Sequence, residues 1–224
     1  MATLDNAMKR RLDTQFAAIR SLNPSRLIAE GERYRYTIER VQTGGFIRFN
    51  GKTHRIEAVG RYQEADESFE HTTDNEWFEL RLFCLETGET VYLEWEKDDE
   101  VEISITTDTL KFSELRDDEG ESIDDDDLDQ IADEKEDIVY RGQTFSYEDD
   151  YAATYYGDDD KEGERAYFYD FVARDKTLTI EEWVVDLERD KYDYRIYLSE
   201  NIDPDAIEVL AVGGKKDGQK SGLR

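Results

Sequence analysis

The period of the apolar positions changes near residue 30. Before it, Leu4, Met8, Leu12, Phe16, Ile19 and Leu22 recur at spacings of four and three, which predicts an amphipathic helix over residues 3–22. Asn23-Pro24 is the expected stop, because the residue before a proline is pushed out of the helical region. The face opposite the apolar stripe carries Lys9, Arg10, Arg11 and Arg20. Such a basic helix either packs on its own domain or docks on an anionic membrane or in a partner's groove.

Beyond Glu30 the alternation has period two, the signature of strands with one buried face. Phe46 to Ile56 reads as strand, turn, strand, because Asn50-Gly51 lies between alternating residues and both positions tolerate positive φ. Trp77–Leu85 and Thr90–Glu96 are two further predicted strands, joined through Glu86-Thr87-Gly88-Glu89. Val101, Ile103 and Ile105 alternate again.

Residues 117–137 interrupt this pattern. Thirteen of these 21 residues are acidic, with Asp124 to Asp127 in succession. Like charges at this density repel, so a solvated acidic linker is expected. After it, the first half recurs in degenerate form. Val139 to Phe145 mirrors Arg48 to His54 at an offset of 91, and Thr177, Ile180 and Glu181 mirror Thr90, Leu93 and Glu94 at an offset of 87. The expected organisation is a helix at 1–28, a first β unit at 29–116, the linker at 117–137, a related second β unit at 138–212 and a flexible basic tail at 213–224. The expected fold class is mainly β, with two related antiparallel units, as small barrels or a sandwich, behind one N-terminal amphipathic helix.

Charge sharpens this picture. The 224 residues carry 57 acidic and 29 basic side chains, a formal net charge of −28. Such a field repels nucleic acid. Both tips are basic, so the acidity lies on the body and the linker. An acidic coat with Arg favoured over Lys fits adaptation to high salt. The single cysteine, Cys84, stands in an apolar stretch and is expected in the core. His54 and His71 lie 17 apart with no cysteine partners, a poor basis for a zinc site. No run of 18 apolar residues exists, and the N-terminus lacks an apolar signal core, so a cytoplasmic protein is expected.

Little catalytic chemistry is legible. No phosphate-binding loop, nucleophile elbow or Cys/His cluster is present in the sequence. Asp158 to Gly163 imitates the start of a calcium loop, but position twelve is Tyr169 rather than a bidentate Glu. No metal, cofactor or catalytic residue is therefore expected. Glu94 and Glu181 occupy equivalent positions in the two halves, near Trp95 and Trp183. They are candidate carboxylates for a cleft between the units, or strand carboxylates facing solvent or an arginine across the sheet. The 27 aromatic residues are read mainly as core and cross-strand packing.

Phe49 to Ile56, Val59-Gly60-Arg61-Tyr62, Trp77-Phe78-Glu79-Leu80 and Tyr92-Leu93-Glu94 resemble the prokaryotic family called domain of unknown function 4178. Its second half resembles Tyr140 to Phe145, Tyr169-Asp170-Phe171 and Leu178 to Trp183, so the resemblance covers about 44–210. These motifs are turns and strands, and they carry no catalytic residue over. Members of the family are often encoded near membrane-stress and polyamine-related genes, so the resemblance implies an accessory or interaction role. The leading expectation is thus a non-enzymatic interaction or accessory protein, in an envelope- or membrane-stress assembly. It would contact an unidentified protein partner, or a membrane peripherally, through Lys9, Arg10, Arg11 and Arg20. The alternatives are a ligand-binding or hydrolytic β-barrel using Glu94 and Glu181, and an acidic decoy of nucleic acid.

Overall fold

A computed structural model describes residues 6–158, 162–189 and 191–214. The chain is mainly β, 51% strand. The elements in order are α1 (Asn6–Ser21), β1 (Phe46–Phe49), β2 (Lys52–Ala65), β3 (Thr72–Cys84), β4 (Thr90–Lys97), β5 (Val101–Leu110), β6 (Leu115–Arg116), α2 (Leu128–Glu134), β7 (Ile138–Tyr140), β8 (Gln143–Tyr156), β9 (Glu164–Ala173), β10 (Lys176–Asp186), β11 (Lys191–Asn201) and β12 (Glu208–Ala211). They divide into two compact units, one of Met1–Val59, Leu80–Tyr92 and Asp203–Arg224, the other of Gly60–Glu79 and Leu93–Ile202.

In the first unit β1 pairs with β2 on one side and β12 on the other, both antiparallel. The β1–β2 turn is the expected Asn-Gly pair, with φ of 49° at Asn50 and 72° at Gly51. Both values belong to the hairpin turn whose twist matches that of the strands it joins. Phe46, Leu210 and Ala211 form a small core, with Leu22 and Leu85 packed on it. Cys84 is buried, as expected of a core thiol.

The second unit contains a closed circuit. Strand order runs β2-β3-β4-β5-β11-β10-β9-β8, and a further antiparallel pairing of β2 with β8 returns to the start. That pairing joins Arg61–Ala65 to Ala152–Tyr156. Eight strands are enough to enclose an interior just wide enough for side chains or one small ligand. The segments 29–116 and 138–212, expected as separate β units, thus contribute four strands each to one ring. Pairing of β5 with β11 and of β2 with β8 fuses them.

Alternation along the strands separates two environments. On β9 and β10, Tyr169, Phe171, Ala173, Leu178 and Ile180 face outward into a core with Leu110, Leu115, Ile123, Leu128, Ile131 and Ile138. The intervening positions, Ala166, Phe168, Asp170, Thr179, Glu181 and Trp183, face the ring's interior and oppose one another in register. The acidic segment 117–137 therefore departs from the expected solvated linker. It holds a 3-10 turn at Asp125–Asp127 and then α2, and it buries Ile123, Leu128 and Ile131 against the outside of the ring. Three apolar anchors hold it despite the charge around them. The calcium-like loop at 158–163 includes residues 159–161, which lie outside the described residues, as does the basic tail from 215 onward.

Gly60, on β2, shows how tightly the ring closes. A Cβ there would collide with the ring atoms and hydroxyl of Tyr155 on β8. Tyr155 is fixed in turn against Tyr62 and Trp183. Gly60→Ala is expected to lower stability by about 1–3 kcal/mol and to disturb the aromatic signature. Urea denaturation and near-ultraviolet circular dichroism check both effects.

Candidate functional site

The interior of the ring carries aromatic and acidic side chains on the same strands. Tyr62 and Trp77 stack with centroids 4.9 Å apart and planes 8° from parallel. Tyr151 and Phe168, cross-strand neighbours on β8 and β9, stack at 5.1 Å. Trp77 meets both of them edge-on, at 5.5 and 5.8 Å. Tyr62 lies 6.4 Å from Trp183, although β2 and β10 are not neighbours in the ring. These contacts cross the interior and show it to be filled with rings at this level.

The acidic groups lie beside these rings. Glu181 is buried and accepts a hydrogen bond from Trp183 Nε1 at 2.6 Å. Asp170 accepts from Thr179 Oγ1 at 2.6 Å and from the Tyr151 hydroxyl at 3.0 Å. Glu79, on β3, accepts from the Tyr155 hydroxyl at 3.4 Å. Glu94, on β4, has no hydrogen-bond partner among the described residues. Against these four carboxyl groups stands Arg195 of β11, whose guanidinium lies 4.4 Å from the centre of the Trp183 ring. It opposes Glu181 directly in the β10–β11 register.

Electrostatics follow from this enclosure. Burial is the main reason that Glu94 has its pKa well above the usual carboxylate range, and the charges of Glu181, Glu79 and Asp170 add to it. Burial pushes Glu181 up to about 7; Trp183 and Arg195 oppose this, and Glu79 reinforces it. Burial also pushes Asp170 up to about 6, against the hydrogen bonds from Thr179 and Tyr151. A desolvated carboxyl group near other acids keeps its proton, because the charged form loses water and gains only repulsion. Asp170 and Glu181 can therefore take up or release protons near neutrality. No group of three or more His, Cys, Asp or Glu side chains placed to hold a metal ion occurs among the described residues.

A cavity of about 540 Å³ opens beside the ring where β2 gives way to the β2–β3 turn. Its lining includes Glu64, Asp66, Glu67 and Asp150, and also Tyr151 and Phe168 of the aromatic wall. The turn is pinned to β9: the Tyr167 hydroxyl donates to the Glu67 carbonyl at 2.9 Å. Phe69, held at a positive φ of 57°, packs edge-on against Tyr167 and beneath the Arg165 guanidinium.

Of the residues singled out by sequence, Glu94 and Glu181 lie on β4 and β10 of one ring rather than in a cleft between two units. Glu181 is buried and Glu94 half-buried. Glu79, Asp170, Tyr62 and Tyr151 were not singled out. Their signal was present: on β9, Asp170 follows Ala166 and Phe168 in the same phase, an acid at the next position of an otherwise apolar face. Lys9, Arg10, Arg11 and Arg20 are all exposed on α1, in the first unit. The apolar stripe of that helix is exposed too, with Met8 53%, Leu12 36%, Phe16 53% and Ile19 49% accessible. The helix is held instead through Ala18, which is buried, and through Gln15, which donates to the Leu85 carbonyl. Of the stripe, Leu22 packs on the first unit's core, while Met8, Leu12, Phe16 and Ile19 do not.

A family model described as Domain of unknown function (DUF4178) matches residues 42–204. The chain belongs to this family. No curated protein and no solved structure matches it. The part matched to DUF4178 contains every strand of the ring and leaves α1 outside. No helix among the described residues is long and apolar enough to cross a membrane.

The raised carboxyl pKa values link stability to pH. Asp170 and Glu181 bind protons more tightly folded than unfolded, so their contribution is complete below their ordinary values of 3.8 and 4.5. It is lost as pH rises through about 6 and about 7. Glu181→Gln removes one such group and should raise stability near pH 8 by about 1–3 kcal/mol, with little change near pH 5. Urea titrations of both proteins at the two pH values measure the difference.

Proposed function

We propose that this protein is a non-catalytic ligand-binding module that holds a small molecule in the cavity between the β2–β3 turn and the outer face of the eight-strand ring. The carrying observation is a cavity of about 540 Å³ lined by the turn residues Asp66, Glu67 and Ser68 and by Tyr167 and Tyr169 on the outer face of β9. That volume falls within the usual range of ligand sites, about 300–1,000 Å³. A few convergent polar groups beside an aromatic surface are the usual composition of such sites. The ring is further read as two related halves, β2–β5 and β8–β11. In support, Glu94 and Glu181 lie on the fourth and tenth strands, which hold corresponding places in the circuit. The reading places the protein in the cytoplasm, in keeping with its sequence.

A second reading concerns α1 and rests on its exposed stripe. In it, the helix attaches the protein reversibly to an anionic lipid surface, as an accessory component of a membrane-associated assembly. Met8, Leu12, Phe16 and Ile19 are flanked by Lys9 and Arg20, with Arg10 on the face behind, the pairing of apolar and cationic groups that suits a helix lying in a headgroup layer. Four half-exposed side chains offer on the order of 300–400 Å², well short of the roughly 800 Å² per partner that a stable protein interface needs.

Native mass spectrometry tests the first reading. After exposure to a metabolite extract, the full chain should retain a small-molecule adduct. Tyr167→Trp and Ser68→Trp, which crowd the cavity at two of its lining residues, should each lose it. An adduct absent from the wild type, or unaffected by both variants, would overturn the reading. For α1, the full chain should float with vesicles of phosphatidylglycerol and phosphatidylcholine but not with phosphatidylcholine alone. Flotation should fall at least about tenfold when Met8 and Phe16 are both changed to serine. Unchanged flotation, or a dimer in sedimentation that this double variant abolishes, would overturn the membrane reading.

A further inference from the structure

We propose that the cavity beside the β2–β3 turn takes a quaternary ammonium cation, attracted by the acids around it and held against its tyrosine side chains. This rests on the ligand-binding reading above and gives it a chemical class.

The sign of the charge comes from the lining. Glu64, Asp66, Glu67 and Asp150 stand around the cavity, and among the described residues no lysine, arginine or histidine does so. Asp66, Glu67 and Asp150 are exposed, and Glu64 is half-buried. Exposed acids keep their water. They act as a field that concentrates cations and repels anions, rather than as desolvated ion-pair partners. The tyrosines of the lining are a different surface: Tyr151 and Tyr167 are half-buried and Tyr169 is buried. Each donates its hydroxyl to an acceptor of negative charge or polarity. Tyr151 donates to Asp170 at 3.0 Å, Tyr167 to the Glu67 carbonyl at 2.9 Å and Tyr169 to Glu182 at 3.1 Å. A phenol that donates in this way is polarised, and its more electron-rich ring attracts a cation more strongly.

The kind of cation follows from the hydrogen bonds already made. Asp66 accepts from the Ser68 hydroxyl at 2.7 Å and from the Glu70 amide at 3.1 Å. Glu64 accepts from Asn75 Nδ2 at 2.8 Å, and Asp150 accepts from the Tyr147 hydroxyl. With the tyrosine hydroxyls engaged as well, the lining offers charge and π surface but few acceptors to replace water around a hydrated head. A primary ammonium carries three N–H donors and a guanidinium five, and both would lose water there without compensation. A quaternary ammonium has no N–H group, is weakly hydrated, and is recognised by aromatic surface and negative field. A cavity of about 540 Å³ accommodates it together with an organic substituent.

Calorimetry of the full chain at low ionic strength compares choline with neohexanol, its uncharged carbon isostere, and with ethanolamine, its primary counterpart. Choline should bind at least about tenfold more tightly than either. Its affinity should fall severalfold in about 0.5 M salt, because the exposed acids act through solvent. Tyr167→Leu should weaken choline binding at least about fivefold. If that variant fails to fold, Glu67→Gln combined with Asp150→Asn, both exposed, should weaken it about threefold at low salt and leave it unchanged at high salt. Asp205→Asn, an exposed acid in the other unit, should leave binding unchanged. Equal binding of neohexanol or ethanolamine, an affinity indifferent to salt, or full affinity in the cavity variants overturns the proposal. If choline fails to bind while the extract still yields an adduct lost in Tyr167→Trp and Ser68→Trp, the class is wrong and the ligand-binding reading stands. If choline fails and no adduct forms, both fail.

Discussion

The pairing of β2 with β8 is the constraint on which the second unit depends. Five residues on each strand, Arg61–Ala65 and Ala152–Tyr156, turn an open sheet into a ring. Without it, the faces carrying Tyr62, Trp77, Glu79, Glu94 and Glu181 would be the wet side of an antiparallel sheet, where carboxylates are ordinary. With it, those faces become an interior. Tyr62 opposes Tyr155 across the seam and reaches Trp183, so the aromatic layer that fills the ring is anchored at the point of closure. Gly60 is part of the same device, since any side chain there would displace Tyr155.

The local grammar of this fold was legible, and its closure was not. The Asn50-Gly51 hairpin, the strands around Trp77 and Thr90, and the buried Cys84 follow from turn chemistry and period-two alternation. Those signals act within about ten residues. Pairing of β2 with β8 links residues some 90 positions apart, and nothing in a strand's own alternation says which distant edge it will meet. Glu94 and Glu181 stood out because they recur at matching places in the two halves. Their surroundings were misjudged because a polar residue in a strand is by default assigned to solvent. The segment 117–137 failed for a related reason. Its charge density hid Leu128 and Ile131, whose three-residue spacing puts both on one face of α2 and under the outer core.

The charge of −28 divides by environment as well as by sequence position. Carboxylates on the outside are solvated, and the acids flanking α2 are tolerated because water screens them. Those within the ring cannot be screened in that way. They hold protons up to about pH 6 and 7, so near neutrality the interior is poised between neutral and charged forms. The basic stripe of α1 is the reverse case: cationic and apolar groups are exposed together in the first unit, where neither is needed for packing.

A ring of this size does not need acids inside to be stable. Replacing buried charged groups with apolar residues of similar volume is often neutral or stabilising, and the outer core of β9 and β10 shows that this chain can fill space with Phe, Leu and Ile. Four carboxyl groups held beside six aromatic rings therefore work against stability at neutral pH. Local rules of folding tend to be broken where function requires it. Glu181 and Asp170 are at least hydrogen-bonded in their interior positions. Glu94, half-buried on β4, lacks such a hydrogen bond among the described residues, and its burial and the neighbouring acids favour its protonated form instead.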